Sequence, residues 1–224
     1  MKNIHVLLVH GGHDFDHEAF FEMFRNFEGI TFEEKEHPQA AAWFAPEKIT
    51  RFDALIFYDF GQTIPADSKQ HLLAAFKRGT GAVFMHHTVH NHADWPEYPR
   101  IVGGFWNASV FTIDGKNYGP STSHPGLQIP VRVVDRTHPI TNGMDDWQIL
   151  DETYGNYYIG PGVNPLLVTD HPKSERILAW THTYQKARIA YIQSGHDRFA
   201  FENPSYRQVV RQAITWTART PLST

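Results

Sequence analysis

Residues 81–92 read GAVFMHHTVHNH, and this stretch indicates both the class of fold and the position of a candidate site. Ala82 to Met85 form a short apolar run with a glycine before it and polar residues after it. Such a run is typical of a strand that is buried on both faces of a parallel sheet. Imidazole side chains begin where this predicted strand ends.

The histidines that follow the strand are His86, His87, His90 and His92. Successive side chains of a strand point to opposite faces, so His86 and His87 diverge unless the chain turns sharply after the strand. In open α/β sheets, ligands bind at the carboxyl ends of the strands. Histidine also titrates near neutral pH and is a common metal ligand. We therefore expect a site at this edge; for His92, a surface loop position without a role is an equally good interpretation.

The chain before residue 81 alternates between strand and helix patterns. The predicted strands are Ile4 to His10, Ile30 to His37 and Ala54 to Tyr58, and the predicted helices follow Asp16 and Pro65. Asp16 is a suitable N-cap, and Gly79 is placed to end the second helix. The order of elements predicts an α/β fold with a doubly wound, mostly parallel sheet flanked by helices.

The chain after residue 107 has a different character. Residues 107–127 are rich in Gly, Ser, Thr, Asn and Pro, which predicts a long irregular insertion of the kind that often forms a wall of a site. Asn203 and Pro204 predict the start of a closing helix. We expect antiparallel edge strands and a single domain over residues 1–224. The runs that alternate like strands are Gln128 to Val134, Trp147 to Leu150, Pro165 to Thr169, Ile177 to His182 and Ala187 to Gln193.

The first strand-to-helix junction carries further candidate residues. His13, Asp14 and His17 lie in the sequence GGHDFDHEAF, on the sheet edge that is also predicted for His86. The two glycines are not followed by Gly-Lys-Ser/Thr or by a third glycine at dinucleotide spacing, so no nucleotide cofactor is expected.

Composition excludes several classes of function. The 224 residues have a formal net charge of -4 and scattered basic residues, so neither nucleic acid nor an anionic membrane is an expected partner. No apolar run approaches the roughly 18 residues of a membrane span, and Met1 to Asn3 lead directly into a strand, so a cytoplasmic location is expected. The chain has no cysteine and 15 histidines, which leaves oxygen and nitrogen chemistry. A small neutral ligand fits these properties, and a homo-oligomer stays open.

Three motifs together resemble the trehalose-utilisation (ThuA-like) family. They are GGHDFDHEAF, then GAVFMHH followed by IVGGF, and finally the run from DRTHPITNGM through DETYGNYY to RIAYIQSGHDRFAFENPSYRQVVRQAITW. The resemblance covers nearly the whole chain. It implies a fold like that of flavodoxin and of the class I glutamine amidotransferases. It also implies a role in sugar catabolism, in a family whose members are linked to 3-keto forms of disaccharides and glycosides.

Candidate site residues follow from the resemblance and from side-chain chemistry. Those that match polar positions of the family, and are predicted to be catalytic, are His17, His86, Glu152 and His196. Those predicted to contact a substrate are His13, Asp14, Trp106 and Tyr154, because the aromatic members suit stacking on a sugar ring. Those predicted as ligands of a zinc-like divalent metal are His86, His87, His90, Glu152 and His196.

Two kinds of function remain open from the sequence. The first is an enzyme, a lyase, isomerase or hydrolase of a sugar or keto-sugar glycoside, that uses histidine and carboxylate acid-base chemistry with or without a metal. The second is a non-catalytic carbohydrate-binding or regulatory module; a metallohydrolase of unrelated small molecules is a third alternative. His86 stands where the amidotransferases have their cysteine nucleophile, so glutaminase activity is excluded. The less favoured alternative for Glu152 is an ordinary, exposed edge-strand carboxylate, and a turn position gives His138 a structural role.

Overall fold

The computed structural model describes residues 3–218, and its centre is a nine-stranded sheet with the strand order β2-β1-β3-β4-β13-β12-β11-β8-β9. Two short two-stranded sheets, β10-β5 and β6-β7, lie outside it. The strands are β1 Ile4–Gly11, β2 Ile30–Glu36, β3 Ala54–Asp59, β4 Gly81–Met85, β5 Gly104–Phe105, β6 Phe111–Ile113, β7 Lys116–Tyr118, β8 Thr122–Val133, β9 Trp147–Gly155, β10 Tyr158–Ile159, β11 Asn164–Val168, β12 Ile177–Tyr184 and β13 Ala187–Ile192.

Helices cover both faces of the parallel half of this sheet. The α-helices are α1 His17–Arg25, α2 Pro46–Ile49, α3 Ala66–Arg78, α4 Tyr98–Val102, α5 Arg198–Glu202 and α6 Pro204–Thr217, and there are 3₁₀ turns at Gln39–Trp43 and His86–His90. Strands β2, β1, β3, β4 and β13 pair in parallel.

Alternate residues of the central strands enter two separate hydrophobic cores. Val6 and Leu8 of β1 pack in the core that contains α1 and α6, whereas Leu7 and Val9 pack in the core that contains α3. All four side chains are 0% exposed, so the strand is buried on both faces. This two-layered burial is why the strands read as continuous apolar runs, and it confirms the predicted doubly wound arrangement.

The antiparallel strands all lie on one side of the parallel half. Strands β13 and β12 form the predicted antiparallel hairpin, and β11, β8 and β9 extend the sheet beyond it. The opposite edge is β2, which pairs in parallel with β1, so only one edge is antiparallel. The expectation of irregular structure over residues 107–127 was wrong in part, because the hairpin β6-β7 and the start of β8 lie there.

Local capping signals of the sequence are confirmed. The Asp16 side chain accepts a hydrogen bond from the backbone N–H of Ala19 at the start of α1. Asn203 accepts from the N–H groups of Ser205 and Tyr206 at the start of α6. Gly79 ends α3 with φ of 100°, a left-handed conformation that glycine adopts without strain.

Strand β4 ends in a sharp turn. His86 has φ of 50°, and residues 86–90 form the 3₁₀ turn that follows. A straight strand would send His86 and His87 to opposite faces of the sheet. The turn removes that alternation, and both imidazoles reach the same pocket.

Within residues 3–218, no helix has the length and apolar character needed to cross a membrane. The expectation of a cytoplasmic location rests partly on Met1 and Lys2, which lie outside the described residues. The domain prediction for residues 1–224 likewise includes residues 219–224, which are not described.

The junction after β1 provides a test of backbone geometry. Gly12 has φ of 86°, and a Cβ atom there would overlap the carbonyl oxygen of Phe60. We predict that Gly12→Ala lowers the free energy of unfolding by about 2–4 kcal/mol, because left-handed strain adds to a forced backbone shift. Urea denaturation measures this quantity.

Gly29→Ala is the matched control, since Gly29 also has a positive φ, 76°, but a Cβ atom there would meet nothing within 4 Å. Its cost should stay near the strain of about 1 kcal/mol. Equal losses of stability in the two variants would show that the close approach of Gly12 to Phe60 is unimportant.

Candidate functional site

Three segments that are distant in sequence meet at the carboxyl ends of β4 and β13. His86 follows β4 directly, and His196 lies in the turn after β13. Glu152 lies on β9, an edge strand. It is nevertheless only 8% exposed, so the interpretation of Glu152 as an exposed edge carboxylate was wrong. His86 is 1% exposed, and its contact with Glu152 is therefore shielded from water.

One side-chain atom from each of these three residues lies at a corner of a nearly equilateral triangle. We call the residues His86, Glu152 and His196 the triad. His86 Nε2 lies 3.2 Å from Glu152 Oε2, and His196 Nδ1 lies 3.2 Å from the same oxygen. The two imidazole nitrogens are also 3.2 Å apart. Three potential ligand atoms therefore converge on one point.

The proton on His86 can be placed from its hydrogen bonds. Nδ1 lies 2.7 Å from the carbonyl oxygen of Gln193, and a carbonyl only accepts, so Nδ1 carries a hydrogen and donates it. In a neutral ring, Nε2 then presents a lone pair. This lone pair faces the Glu152 carboxylate, an arrangement that is repulsive unless a proton or a cation lies between them.

Glu152 and His196 shift each other's pKa in opposite directions. Burial alone would raise the pKa of Glu152, but hydrogen bonds with His196 and His86 outweigh it, and the pKa lies far below its ordinary value. The hydrogen bond to Glu152 raises the pKa of His196 above its ordinary value, although burial opposes this. In the metal-free protein, the pair is therefore held as carboxylate and imidazolium over an extended pH range.

The triad opens into a cavity of about 160 Å³. The pocket lining combines aromatic rings with imidazoles. The residues that line it are His13, Phe60, His86, His87, His90, Trp106, Ser123, Glu152, Tyr154 and His196.

His87 and His90 lie in the pocket but outside the triad. Burial lowers the pKa of His87 well below its ordinary value, and the neighbouring His86 lowers it further. Burial also lowers the pKa of His90. Both rings are therefore neutral at pH 7, and each Nδ1 is buried without a hydrogen-bond partner among residues 3–218. These two predicted metal ligands line the cavity, and their nitrogens are not part of the three-residue donor group formed by the triad.

The structure places three of the four predicted substrate contacts at the pocket. Tyr154 stacks on His86, with ring centroids 4.9 Å apart, and its hydroxyl lies 2.9 Å from His86 Nε2. Burial raises the pKa of Tyr154 well above its ordinary value, and the nearby Glu152 raises it further. Trp106 lies against His90 with centroids 4.5 Å apart, and His13 lies 5.1 Å from His87.

His17 and Asp14 do not line the pocket. His17 is exposed and stacks on Phe15, with centroids 4.0 Å apart, and Phe15 in turn packs against Tyr58. The apolar Phe15 thus takes the inward position at this junction, and His17 covers its outer side. Asp14 is exposed, and its carboxylate accepts from the backbone N–H of Phe15. His17, which the sequence predicts to be catalytic, therefore lies outside the pocket that the triad lines.

His92 is buried rather than at the surface, and it does not line the cavity of the triad. It is 2% exposed, and its Nδ1 hydrogen-bonds with the carbonyl oxygen of Gln62. The nearby His37 and Asp59 form a buried pair, with 3.0 Å between Nε2 and Oδ2. These contacts anchor the segment after the 3₁₀ turn beside the first loops of the chain, which is a structural role.

Asp151 is the site residue that sequence reasoning missed. It is 1% exposed, and its carboxylate accepts from the backbone N–H groups of Gly195 and His196. The acidic pair in DETYGNYY was the available signal. The resemblance to the family drew attention to Glu152 only, and nothing local in the sequence shows that the turn after β13 contacts β9 at this point.

The opposed pKa shifts predict how stability depends on pH in the metal-free protein. The pKa of Glu152 in the folded state lies below its ordinary value of 4.5. The stabilisation that results is complete above pH 4.5 and is lost as pH falls through the folded-state pKa. The raised pKa of His196 gives stability that is present below 6.5 and is lost as pH rises through the folded-state pKa. The stability difference between wild type and Glu152→Gln should therefore be greatest between about pH 4.5 and 6.5.

Urea denaturation in the presence of a chelator, repeated across pH, measures this difference. Glu202→Gln is the control, because Glu202 pairs with Arg198 on the surface, where such pairs contribute little. A difference for Glu152→Gln that does not vary with pH would contradict the assigned pairing.

A family model described as trehalose utilisation, ThuA, matches residues 5–217. A search of curated proteins gives no significant match. The structure is similar to that of a protein described as ThuA-like from Parabacteroides merdae ATCC 43184, with a TM-score of 0.81, 19% identity, and coverage of 100% of this chain and 92% of the other.

Two further structures are more distant. A protein described as cytoplasmic from Salmonella typhimurium has a TM-score of 0.67 and 14% identity, with coverage of 96% of this chain and 99% of the other. A glutamine amidotransferase from Thermotoga maritima has a TM-score of 0.56 and 8% identity, with coverage of 98% of this chain and 100% of the other. At these identities the similarity shows the fold, and it confirms the predicted amidotransferase-like architecture.

Proposed function

The chain belongs to the ThuA, trehalose utilisation, family, and we propose on that premise that it is an enzyme of carbohydrate catabolism whose triad binds a divalent metal. The substrate class we propose is a sugar or keto-sugar glycoside. The observation that supports the site most strongly is the 3.2 Å triangle of His86 Nε2, Glu152 Oε2 and His196 Nδ1.

The dimensions of the triad suit a transition ion. Zinc binds imidazole nitrogen and carboxylate oxygen at about 2.0–2.2 Å, which places tetrahedral ligands about 3.4 Å apart. The separations in the triad are close to that value. Two imidazoles and one carboxylate favour zinc or a similar metal over calcium, and a three-ligand set keeps a position open for substrate or water.

The hydrogen bond of His86 supports the same proposal. Imidazoles that bind metals commonly donate their other N–H to a carbonyl or carboxylate, which fixes the ring and its tautomer. The bond from His86 Nδ1 to the carbonyl oxygen of Gln193 has this form. It leaves the Nε2 lone pair directed at the centre of the triad, where a cation would remove its repulsion with Glu152.

The pocket suits a small polar ligand with one ring. Its volume of about 160 Å³ is below the roughly 300–1,000 Å³ of pockets for drug-sized ligands, so one sugar ring fits better than a disaccharide. Phe60 and Trp106 supply aromatic surface for the ring. The neutral imidazoles of His87 and His90 can exchange hydrogen bonds and protons with its hydroxyl groups.

The chemistry that we propose is proton transfer next to a carbonyl group. A divalent ion in the triad would polarise the keto oxygen of the bound sugar. The imidazoles around the cavity would take the proton from the adjacent carbon and return it at the next step, as lyase or isomerase reactions require. The pocket contains no thiol, since the chain has no cysteine, and glutamine hydrolysis through a thioester is excluded.

The cytoplasmic description of the Salmonella protein supports the same location for this chain.

Zinc binding is the first test of the proposal. Titration calorimetry on tag-free protein should show one zinc site, which is lost in His86→Ala. The affinity should fall as pH drops through the histidine range, because protonated imidazole cannot coordinate. The lowered pKa of Glu152 leaves its carboxylate ionised throughout that range, so the histidines alone should set this dependence.

His138→Ala is the control for that measurement. His138 lies in a turn, where its Nδ1 accepts from the backbone N–H of Ile140 and its ring lies 5.1 Å from that of Trp216. Zinc affinity should be unchanged in this variant. Equal zinc binding in wild type and His86→Ala would refute the metal site.

Turnover of a keto-sugar is the second test. His86→Asn roughly keeps the shape of imidazole and one hydrogen bond, so the fold should survive. Turnover should nevertheless fall by about 10²-fold or more, the range typical for a lost acid-base group. A screen of oxidised disaccharides and glycosides supplies the substrate, with His138→Asn as control. If wild type binds a sugar but turns over none of those screened, the protein is a non-catalytic carbohydrate-binding module, and turnover that is unchanged in every triad variant would refute the assigned site.

A further inference from the structure

Asp151 links the strand that carries Glu152 to the turn that carries His196. Its Oδ1 accepts from the backbone N–H of Glu152 at 2.8 Å and from that of His196 at 3.0 Å. Its Oδ2 accepts from the backbone N–H of Gly195 at 2.8 Å. Both carboxylate oxygens are thus occupied by main-chain donors from two segments of the chain.

The turn after β13 is also held from its other side. Tyr58 donates its hydroxyl hydrogen to the carbonyl oxygen of Gly195 at 2.7 Å. Gly195 has φ of 124°, and a Cβ atom there would overlap the hydroxyl of Tyr206. The backbone of Gly195 therefore sits between Asp151 and two buried tyrosines, and the direction in which the chain enters His196 is fixed.

We propose that Asp151 is a positioning residue, which fixes His196 Nδ1 relative to Glu152 Oε2 and so sets the affinity of the triad for its divalent ion. This inference rests on the proposed function. Asp151 does not line the pocket, so it acts through the backbone of the residues that it binds. Residues that orient metal ligands in this way typically change metal affinity by about 10–100-fold.

The role requires a carboxylate rather than an amide. A buried carboxylate is costly unless hydrogen bonds compensate it, and the three main-chain N–H groups provide that compensation. An asparagine at this position has one oxygen and one NH₂ group. In either orientation of the amide, its NH₂ group would face a backbone N–H of the turn, donor against donor.

The test compares wild type, Asp151→Asn and Asp135→Asn. Asp135 also accepts backbone N–H groups, those of Thr137 and His138, but it lies in a turn without contact to the triad. Zinc affinity is measured by calorimetry on protein shown to be folded by its near-ultraviolet circular dichroism. The zinc Kd of Asp151→Asn should rise by about 10-fold or more, whereas that of Asp135→Asn should not change.

The visible absorption of bound cobalt(II) reports ligand geometry, and it should change shape in Asp151→Asn only. A residue with a purely structural role would lower stability without altering the affinity or the spectrum of the folded fraction. Unchanged zinc Kd and cobalt spectrum in folded Asp151→Asn would overturn the inference.

Two tyrosine variants keep the inference testable if Asp151→Asn fails to fold. Tyr58→Phe keeps the volume but removes the hydrogen bond to Gly195, so zinc affinity should fall. Tyr184→Phe also removes a tyrosine hydroxyl hydrogen bond, the one to Glu97, but Tyr184 lies at the β12-β13 turn and takes no part in the site, so affinity should stay the same. Equal affinities in the two variants would show that the position of the turn does not control the site.

A measurement without metal separates this inference from the proposed function. If wild type binds no zinc, the proposed metal site is wrong, and amide hydrogen exchange then decides the role of Asp151. Exchange of the Gly195 and His196 amides should be faster in Asp151→Asn, while that of core amides such as Ala190 is unchanged. Unaltered exchange at Gly195 and His196 would mean that Asp151 does not hold the turn.

Discussion

The hydrogen bond from His86 Nδ1 to the carbonyl oxygen of Gln193 is the interaction on which the site depends. It joins the ends of two neighbouring parallel strands, β4 and β13, and it is possible because the chain turns at His86 with φ of 50°. The same bond makes Nδ1 a donor, so Nε2 is the ring nitrogen that faces Glu152. The positive φ of His86, at the end of a buried strand, thus sets the direction of its Nε2 atom. Strained backbone angles of this kind cluster at functional sites.

The buried carboxylates give the site its electrostatic character. Glu152 is compensated by two imidazoles, whereas Asp151, its neighbour, is compensated by main-chain N–H groups alone. The result is two adjacent acids with opposite pKa shifts: hydrogen bonds to histidine lower the pKa of Glu152 against the effect of burial, and burial raises that of Asp151. Glu152 lines the cavity and gives it a negative charge. Asp151, the residue before it, accepts hydrogen bonds from the backbone and holds the neighbouring turn in place.

Much of the fold could be predicted from the sequence because its signals are local. The buried strands β1, β3 and β4 read as apolar runs, and Asp16, Gly79 and Asn203 act within one turn of their own positions. The site was predictable only in part. His86, Glu152 and His196 could be named from their places in motifs, but the wrong placement of His17 depended on how Phe15 packs against Tyr58. The role of Asp151 depends on contact between β9 and the turn after β13. Its hydrogen-bond partners in that turn, Gly195 and His196, are 44 and 45 residues away in sequence. No periodicity or spacing carries that information.

The separation of the triad along the chain has a consequence for biosynthesis. His86 and His196 are 110 residues apart. A ribosome must therefore synthesise the chain through His196 before the three side chains of the triad can meet, while β1 to β4 can pair earlier. The triad thus forms only after β13 and the turn that follows it have been made, and a chain that stops before this turn lacks it.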